Sequence, residues 1–396
     1  MRSTLSRILS ALFLCSAATS YADVTYATIA DTHAIVTGVR ADSANTVVLT
    51  ANYTSGGVLK AGLYQGSLAN ATTSGATWYA LTPSILINPL LPTGPTQTVT
   101  SATFYGPNTA YYDSNLDAGT ITAVGSYKYS EAALPNADHG MLYQGPVNSS
   151  GTGTWKQIDP NSLVTGPGES LKNTIAHSTM GNLAVGNYDT NLTTGKAFIY
   201  NMASDSWTNL NPGGTVSVTA YGIWQNGGSS STSYTIAGGV SAVNSGGIDQ
   251  SYLVNYDSLS GLFTNYTTFD FNNLGGLAPL AHFDGITGTA TGFNLTGFVT
   301  INDTVSGFFT SITVNPDGSF GANPQWTLID YPSGSTPTIT TGNTIVDNNV
   351  LGIFISGGAT QSYIATVTAV PEPSTYAMLF GTASLFAAVL VRRKRK

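Results

Sequence analysis

The sequence predicts an all-β fold made of repeated four-stranded antiparallel units, arranged as a six-bladed β-propeller and followed by one C-terminal transmembrane helix. The 396 residues include 44 Gly but only 8% charged residues, whereas helices need Ala, Leu, Glu and Lys on their surfaces. Apolar and polar residues alternate in short runs bounded by Gly, Asn and Asp, which is typical of strands and hairpins. A tryptophan-containing string also recurs along the chain, and repeats of this length are typical of propellers.

The recurrent string places an aromatic residue a few positions before a turn. It reads GTWKQIDP at 153–160 and DSWTNLNP at 205–212. Alternating strands precede each copy, so a unit contains four successive strands, as a propeller blade does. We interpret the aromatic residues as packing anchors within each blade; exposed rings that stack on sugars are the alternative. The residues at this position are Trp78, Trp155, Trp207, Phe263 and Trp326.

The last unit lacks such a string, and an orphan strand at 24–29 precedes the first unit. If that strand completes the last unit, the ring closes and leaves no open edge to aggregate. An open β-solenoid or a pair of β-sandwiches is the competing interpretation. The six units fall near residues 30–83, 98–160, 172–212, 216–270, 280–331 and 339–368.

Residues 1–22 have the features of a secretory signal peptide. Two arginines precede an apolar stretch at 8–18, and small residues precede a predicted cleavage between Ala22 and Asp23. Cys15 is the only cysteine of the sequence and lies in this segment. The mature protein therefore has no disulfide, catalytic thiol or cysteine-bound zinc.

The C-terminus has three parts in a fixed order. A motif with two prolines at 370–375 breaks regular structure, an uncharged apolar segment at 376–391 predicts a transmembrane helix, and a basic tail at 392–396 closes the chain. By the positive-inside rule the tail stays in the cytoplasm, while the predicted repeat domain at 23–369 is exported. The residues of the motif and the tail are Val370, Pro371, Glu372, Pro373, Arg392, Arg393, Lys394, Arg395 and Lys396.

Residues 370–396 resemble the PEP-CTERM sorting signal of Gram-negative bacteria, because V-P-E-P-S-T is followed by a short apolar segment and a basic cluster. The resemblance implies an exosortase, a membrane sorting enzyme, as a partner, and contact with the inner membrane before processing. It also implies a final location in the cell envelope, on the outer surface or outside the cell, in bacteria that make exopolysaccharide and biofilms. A simple single-pass anchor with a proline-bearing stalk is the alternative.

The exported part of the chain is strongly acidic. Of the 13 basic residues, two lie in the signal peptide and five in the tail, which leaves six against 19 acidic residues, because Glu372 belongs to the motif. A body with a net charge of about −13 repels nucleic acid, so nucleic-acid binding is excluded as a function.

Histidines are the first candidates for chemistry. His33 follows Asp31, and His282 precedes Asp284. No two histidines have the short spacing of a zinc motif, so we expect neither a metal site nor a cofactor. The four histidines of the chain are His33, His139, His177 and His282.

Carboxylates are the second candidates. A glycosidase needs two carboxylates at a defined separation, but Glu131 and Glu169 are the only glutamates outside the tail. Aspartates recur in similar turns, as at Asp113, Asp189 and Asp257. This recurrence favours Asx-turns, in which the side chain accepts a backbone N–H, over proton transfer. We therefore expect that the protein is not an enzyme.

These observations predict an exported surface or extracellular-matrix protein with a structural or adhesive role, with exopolysaccharide as a candidate partner. A glycan-binding propeller is the alternative, and a secreted glycan hydrolase with an aspartate pair in its central funnel is a further one. Clustered Asp and His at one face would favour the hydrolase, whereas clustered Trp or Tyr would favour the glycan-binding protein.

Overall fold

The structure, a computed structural model, describes residues 22–83, 98–130, 137–148, 152–211, 217–241, 249–271, 280–301, 303–322, 324–332 and 339–368. The chain divides into a body, Tyr26–Thr366, and a second unit that combines Met1–Thr25 with Val367–Lys396. The predicted signal peptide up to residue 21, the sorting motif, the transmembrane helix and the basic tail lie outside the described residues. Within the described part, no helix is long and apolar enough to cross a membrane.

Strands dominate the described residues. The first strand is β1 (Asp23–Thr28). The first unit consists of β2 (Ala34–Ala41), β3 (Val47–Ser55), β4 (Val58–Gly66) and β5 (Trp78–Leu81), with the short helix α1 (Leu68–Ala71) before β5. The second consists of β6 (Val99–Thr109), β7 (Thr120–Tyr129), β8 (His139–Pro146) and β9 (Thr154–Gln157), followed by a 3-10 turn, Asn161–Leu163. The third consists of β10 (Leu171–Met180), β11 (Leu183–Thr190), β12 (Lys196–Asn201) and β13 (Ser206–Leu210).

The remaining strands repeat this pattern. The fourth unit consists of β14 (Ser217–Gln225), β15 (Ser233–Ser241), β16 (Asp249–Asp257) and β17 (Leu262–Phe269). The fifth consists of β18 (Leu280–Gly288), β19 (Gly292–Ile301), β20 (Thr304–Thr313) and β21 (Gln325–Ile329). The sixth consists of β22 (Ile339–Val346), β23 (Asn349–Ser356) and β24 (Ala359–Thr368).

The strands of each unit pair antiparallel in sequence order. Units one to three are separate four-stranded sheets, and units four to six form one continuous sheet of twelve strands together with β1. Single parallel pairs join the last three units, between Asp249 and Leu280 and between Val305 and Ile339. The predicted all-β repeat of four antiparallel strands is therefore confirmed.

The N-terminal strand completes the last unit, as predicted. β1 lies beside β24, in the place where the sixth unit has no fourth strand of its own. Just past β1, the backbone N–H of Ile29 donates to the carbonyl oxygen of Ser362 at 2.9 Å, and the ring of Tyr26 packs against Tyr363 with centroids 6.2 Å apart. This pairing covers the edge of β24, which would otherwise be open to other chains.

The first strand of each unit contacts the first strand of the next one, and β22 contacts β2. Side chains also donate hydrogen bonds to the backbone of the neighbouring unit. Thr37 Oγ1 donates to Phe104 O at 2.5 Å between β2 and β6, and Asn343 Nδ2 donates to Val36 O at 2.9 Å between β22 and β2. The arrangement is propeller-like and differs from both a solenoid and a pair of sandwiches. We call β2, β6, β10, β14, β18 and β22 the inner strands.

The recurrent aromatic residues anchor the fourth strand of each unit. Each is half-buried and, in four units, lies opposite an aromatic residue of the third strand; the pairs are Tyr64 with Trp78, Tyr143 with Trp155, Tyr200 with Trp207, and Tyr256 with Phe263. Trp326 differs, because it lies opposite Thr310 and packs on Phe308 with centroids 5.0 Å apart. The interpretation of these rings as packing anchors is confirmed.

Small residues allow the inner strands to approach one another. A Cβ atom added to Gly38 would lie 2.0 Å from the backbone oxygen of Tyr105, and one added to Gly106 would lie 2.5 Å from the backbone oxygen of His177. Real atoms do not approach so closely, so any side chain here forces neighbouring units apart.

We expect Gly38→Ala to destabilise the fold by about 1–3 kcal/mol, since the new methyl group meets backbone that cannot rotate away. Urea unfolding followed by far-UV circular dichroism measures the change. Gly75→Ala is the matched control: its added Cβ would lie 3.6 Å from the nearest atom, so we expect a change within about 0.5 kcal/mol. Equal stability of the two variants would contradict the close packing.

Candidate functional site

All six inner strands carry a β-bulge at the same place. At a bulge, two residues of one strand face one residue of its partner, and the extra side chain is turned out of the ladder. All six bulged side chains line a single pocket between the inner strands. The bulged residues are Thr37, Tyr105, His177, Tyr221, Asp284 and Asn343.

The pocket has a volume of about 420 Å³, within the usual range for small-molecule sites. Its two sides differ in chemistry. Aromatic and imidazole rings from units two to five form one wall, and the opposite wall consists of residues from units one and six, such as Ile35, Asn52, Asn343 and Ile353. A ligand in the pocket would therefore meet flat rings on one side and amide groups with aliphatic side chains on the other.

The aromatic wall is a continuous row of five rings. Successive ring centroids are 5.0 Å apart from Tyr105 to His177, 4.6 Å from His177 to Tyr221, 4.8 Å from Tyr221 to His282 and 4.3 Å from His282 to Phe298. Spacings of this size are those of favourable aromatic pairs. The row thus holds each ring in place before any ligand arrives.

His177 is the second ring of the row and is uncharged at neutral pH. Burial, together with the nearby His282, lowers the pKa of its imidazole to about 3. A buried neutral imidazole has one N–H donor and one nitrogen acceptor. It is therefore suited to bind a hydroxyl group.

His282 and Asp284 lie next to each other on β18. The Nδ1 atom of His282 is 2.7 Å from Oδ1 of Asp284, within ion-pair distance although poorly aligned for a hydrogen bond. Burial raises the pKa of Asp284, and the neighbouring His282 opposes this effect. Asp284 is the one carboxylate among the residues that line the described pocket.

Arg40 crosses the pocket from β2. Its guanidinium Nη1 donates to Ile286 O at 3.2 Å, and Nη2 donates to Ile223 O at 2.8 Å and to Ser178 Oγ at 3.4 Å. The side chain is only 5% exposed and lies over the ring of Trp224 at 5.5 Å. Burial lowers the pKa of Arg40 to about 10, so the group keeps its charge at neutral pH. Among the described residues, no Asp or Glu forms an ion pair with it.

Three buried polar atoms of pocket residues have no hydrogen-bond partner among the described residues. They are Nε of Arg40, Oδ1 of Asn52 and Nδ1 of His282, the last of which lies 2.7 Å from Oδ1 of Asp284. An unsatisfied buried polar group costs about 1–3 kcal/mol, and native structures contain few of them. The donor of Arg40 and the acceptor of Asn52 are thus unused in the described structure.

The structure separates the histidine candidates of the sequence. His177, His282 and Asp284 meet in the pocket, whereas His33 pairs with Asp31 at the surface, 2.9 Å from Nδ1 to Oδ1. His139 pairs with Asp159 at 2.7 Å inside the second unit. Within the described part of the chain, no three His, Asp or Glu side chains are grouped closely enough to hold a metal ion.

Two of the turn aspartates behave as the sequence predicts. Asp113 accepts the backbone N–H of Asn115 at 3.0 Å, and Asp257 accepts that of Ser260 at 2.7 Å. Asp189 accepts the N–H of Gly195 at 2.9 Å, six residues along the chain. The prediction of a local turn bond therefore holds for Asp113 and Asp257 but is wrong for Asp189.

Sequence reasoning missed Tyr105, Tyr221 and Arg40 as site residues. A signal for the two tyrosines was present: four bulged residues directly precede a glycine on the first strand of a unit, as in FYG at 104–106 and AYG at 220–222. Alignment of the units on that glycine would have found the ring. The role of Arg40 has no such local signal, because its contacts come from three other units.

We expect His177 to remain neutral down to about pH 4.5. Its folded pKa of about 3 lies below the value of about 6.5 for an unfolded chain. The stability that the neutral imidazole contributes is therefore complete above about pH 6.5 and is lost as the pH falls towards 3. NMR titration of the ring Cε1–H signals tests this, with the urea-unfolded protein as the control that titrates near 6.5. A folded-state midpoint near 6 for His177 would contradict its burial.

Comparison with known proteins identifies the C-terminus. Residues 369–396 match the model described as the PEP-CTERM protein-sorting motif, and no curated protein matches the sequence. A Trypanosoma rangeli sialidase is 9% identical with a TM-score of 0.42, over 84% of this chain and 54% of that one. A virginiamycin B lyase from Staphylococcus aureus is 11% identical with a TM-score of 0.41, over 88% of this chain and 100% of that one.

The chain spans about half the length of the sialidase. Similarity at this level does not show that this chain shares the activity of either protein. The match at the C-terminus is of a different kind, because it covers the whole predicted signal, and this chain carries a PEP-CTERM sorting signal.

Proposed function

We propose that this chain is an exported, non-enzymatic binding protein whose body is a six-bladed β-propeller closed by β1. After exosortase processing it is displayed on the cell surface or released into the extracellular matrix. There it associates with exopolysaccharide by binding a saccharide unit in its central pocket. The structural or adhesive role expected from the sequence follows from this binding.

The sorting signal supports export. A PEP-CTERM motif implies an exported protein that an exosortase sorts, with an envelope or surface location. The acidic composition of the body suits the space outside the cell, where net charge keeps a protein soluble.

The row of five rings beside unpartnered polar atoms is the observation that carries the saccharide proposal. Pyranose rings have apolar C–H faces that pack on aromatic rings, and hydroxyl groups that need donors and acceptors. The aromatic wall from Tyr105 to Phe298 provides rings for the C–H faces. Asn52 and His177 provide hydrogen-bonding groups for the hydroxyls. The pocket volume of about 420 Å³ limits the bound part to roughly one or two sugar residues.

The same pocket supports binding over hydrolysis. Glycoside hydrolysis uses two carboxylates that flank the scissile bond. The described lining contains one, Asp284, which lies against His282. Of the clustered Asp and His that would favour a hydrolase, the described lining contains His177, His282 and the single carboxylate Asp284, while the aromatic cluster is extensive.

Deletion of Pro371–Glu372–Pro373 tests sorting. We expect full-length, unprocessed protein to accumulate in the inner membrane, since the exosortase loses its recognition motif while the apolar segment and the basic tail remain. Mass and fractionation of a tagged protein measure this, and a strain that lacks the exosortase should give the same result. Normal mass and location in both strains would contradict the sorting proposal.

Tyr221→Ala tests saccharide binding. Removal of the central tyrosine of the row should weaken binding of the best ligand from a glycan array about tenfold or more, a change of about 1.4 kcal/mol. Isothermal titration calorimetry measures it. Tyr111→Ala is the matched control, because that ring is 55% exposed and lies outside the pocket lining. A mature protein that binds no saccharide on the array would contradict the proposal.

A further inference from the structure

We infer that the bound saccharide is acidic, and that Arg40 binds its carboxylate at the base of the pocket. This inference rests on the proposed function and specifies its ligand class. It follows from the position of Arg40, from the absence of a counter-ion for it in the described structure, and from the donor that the guanidinium leaves unused.

Arg40 lies beyond the ring of bulged residues. It follows Thr37 by three positions on β2, or about 10 Å along an extended strand, and it still lines the pocket. Its bonds to Ser178, Ile223 and Ile286 join β2 to three other inner strands. The guanidinium therefore lies at one end of the pocket lining, away from the ring of bulged residues.

A buried cation normally has an anion beside it. Transfer of a charged group out of water costs several kcal/mol, and neutral acceptors replace only part of its hydration. Among the described residues, the partners of Arg40 are two carbonyls, one distant hydroxyl and the face of Trp224. A carboxylate on the ligand would supply the missing negative charge.

Arg40 also connects the inner strands, and this structural role explains part of the geometry. It accounts for the bonds to the two carbonyls, Ile223 O and Ile286 O. It does not account for Nε, which is buried without a partner. A neutral side chain could bridge the same carbonyls at a lower desolvation cost, so the retained charge points to a ligand.

Planar geometry favours a carboxylate over other anions. A guanidinium presents donors in a flat fork that matches the two oxygens of a carboxylate, and the guanidinium carbon of Arg40 lies 5.5 Å from the centroid of the Trp224 ring. Asp284 would repel an anion only when ionised, and burial raises its pKa. Its Oδ1 atom lies 2.7 Å from Nδ1 of the adjacent His282.

The first experiment changes the ligand and leaves the protein intact. The mature protein, recovered after export, is titrated calorimetrically with oligosaccharides of glucuronate, galacturonate and mannuronate, each beside its carboxyl-reduced, neutral counterpart. We expect at least one acidic member to bind and its reduced form to bind at least tenfold more weakly. A sulfated neutral oligosaccharide that bound as tightly as the acidic member would show simple anion attraction and overturn the inference.

The second experiment changes the protein. Arg40→Met and Arg40→Lys should each weaken binding of the acidic ligand at least tenfold, since one removes the charge and the other removes the fork. Both should weaken binding of the reduced ligand by a smaller factor, since that ligand has no carboxylate for Arg40 to bind. Lys172→Met is the matched control, because Lys172 is an exposed cation outside the pocket lining, and it should bind as the unaltered protein does. Circular dichroism and the thermal midpoint establish that each variant is folded.

The outcomes separate this inference from the proposed function. Equal binding of acidic and neutral members would refute a carboxylate at Arg40 and leave the saccharide site in place. Binding of neither class would refute both. If the Arg40→Lys variant retained selective binding of the acidic member in full, the assignment would also be refuted, because a point charge would then be sufficient.

Discussion

The close approach of neighbouring inner strands is the constraint on which the rest of the body depends. A side chain at Gly38 or Gly106 would meet the backbone of the next unit at 2.0 or 2.5 Å, so no side chain fits after these two bulges. The six strands can then lie around one axis with their bulges at the same level. The pocket is a consequence of this backbone geometry, and the six bulged side chains decide its chemistry.

Burial has opposite consequences for the two kinds of base in the pocket. The imidazole of His177 titrates near neutrality in water, so burial is enough to remove its charge. The guanidinium of Arg40 has so high an intrinsic pKa that burial leaves it charged. The result is one fixed positive charge at Arg40 near the uncharged ring of His177, inside a body whose net charge is about −13. In the proposed function, this contrast favours binding of one anionic group in the pocket of a protein that is acidic overall.

The two halves of the functional proposal depend on separate parts of the chain. The PEP-CTERM signal at 369–396 determines where the protein goes, and the inner strands determine what it can bind. The body tolerates a terminal signal because its last sheet is completed by β1, so no fourth strand from the C-terminus is needed. Sorting and binding can therefore be disrupted one at a time.

Local patterns in the sequence were sufficient for the four-stranded repeats, the aromatic anchors Trp78, Trp155 and Trp207, the turn role of Asp113 and Asp257, the completion of the last unit by β1 and the terminal sorting signal. Each depends on alternation, turn chemistry or charge within a short stretch of chain. Only the tertiary structure decided which residues form the site. Thr37 and Asn343 lie near opposite ends of the body sequence yet line one pocket, and Arg40 reaches three units that follow it. These long-range contacts depend on how the six units pack around a common axis, and no short stretch of sequence encodes that packing by itself.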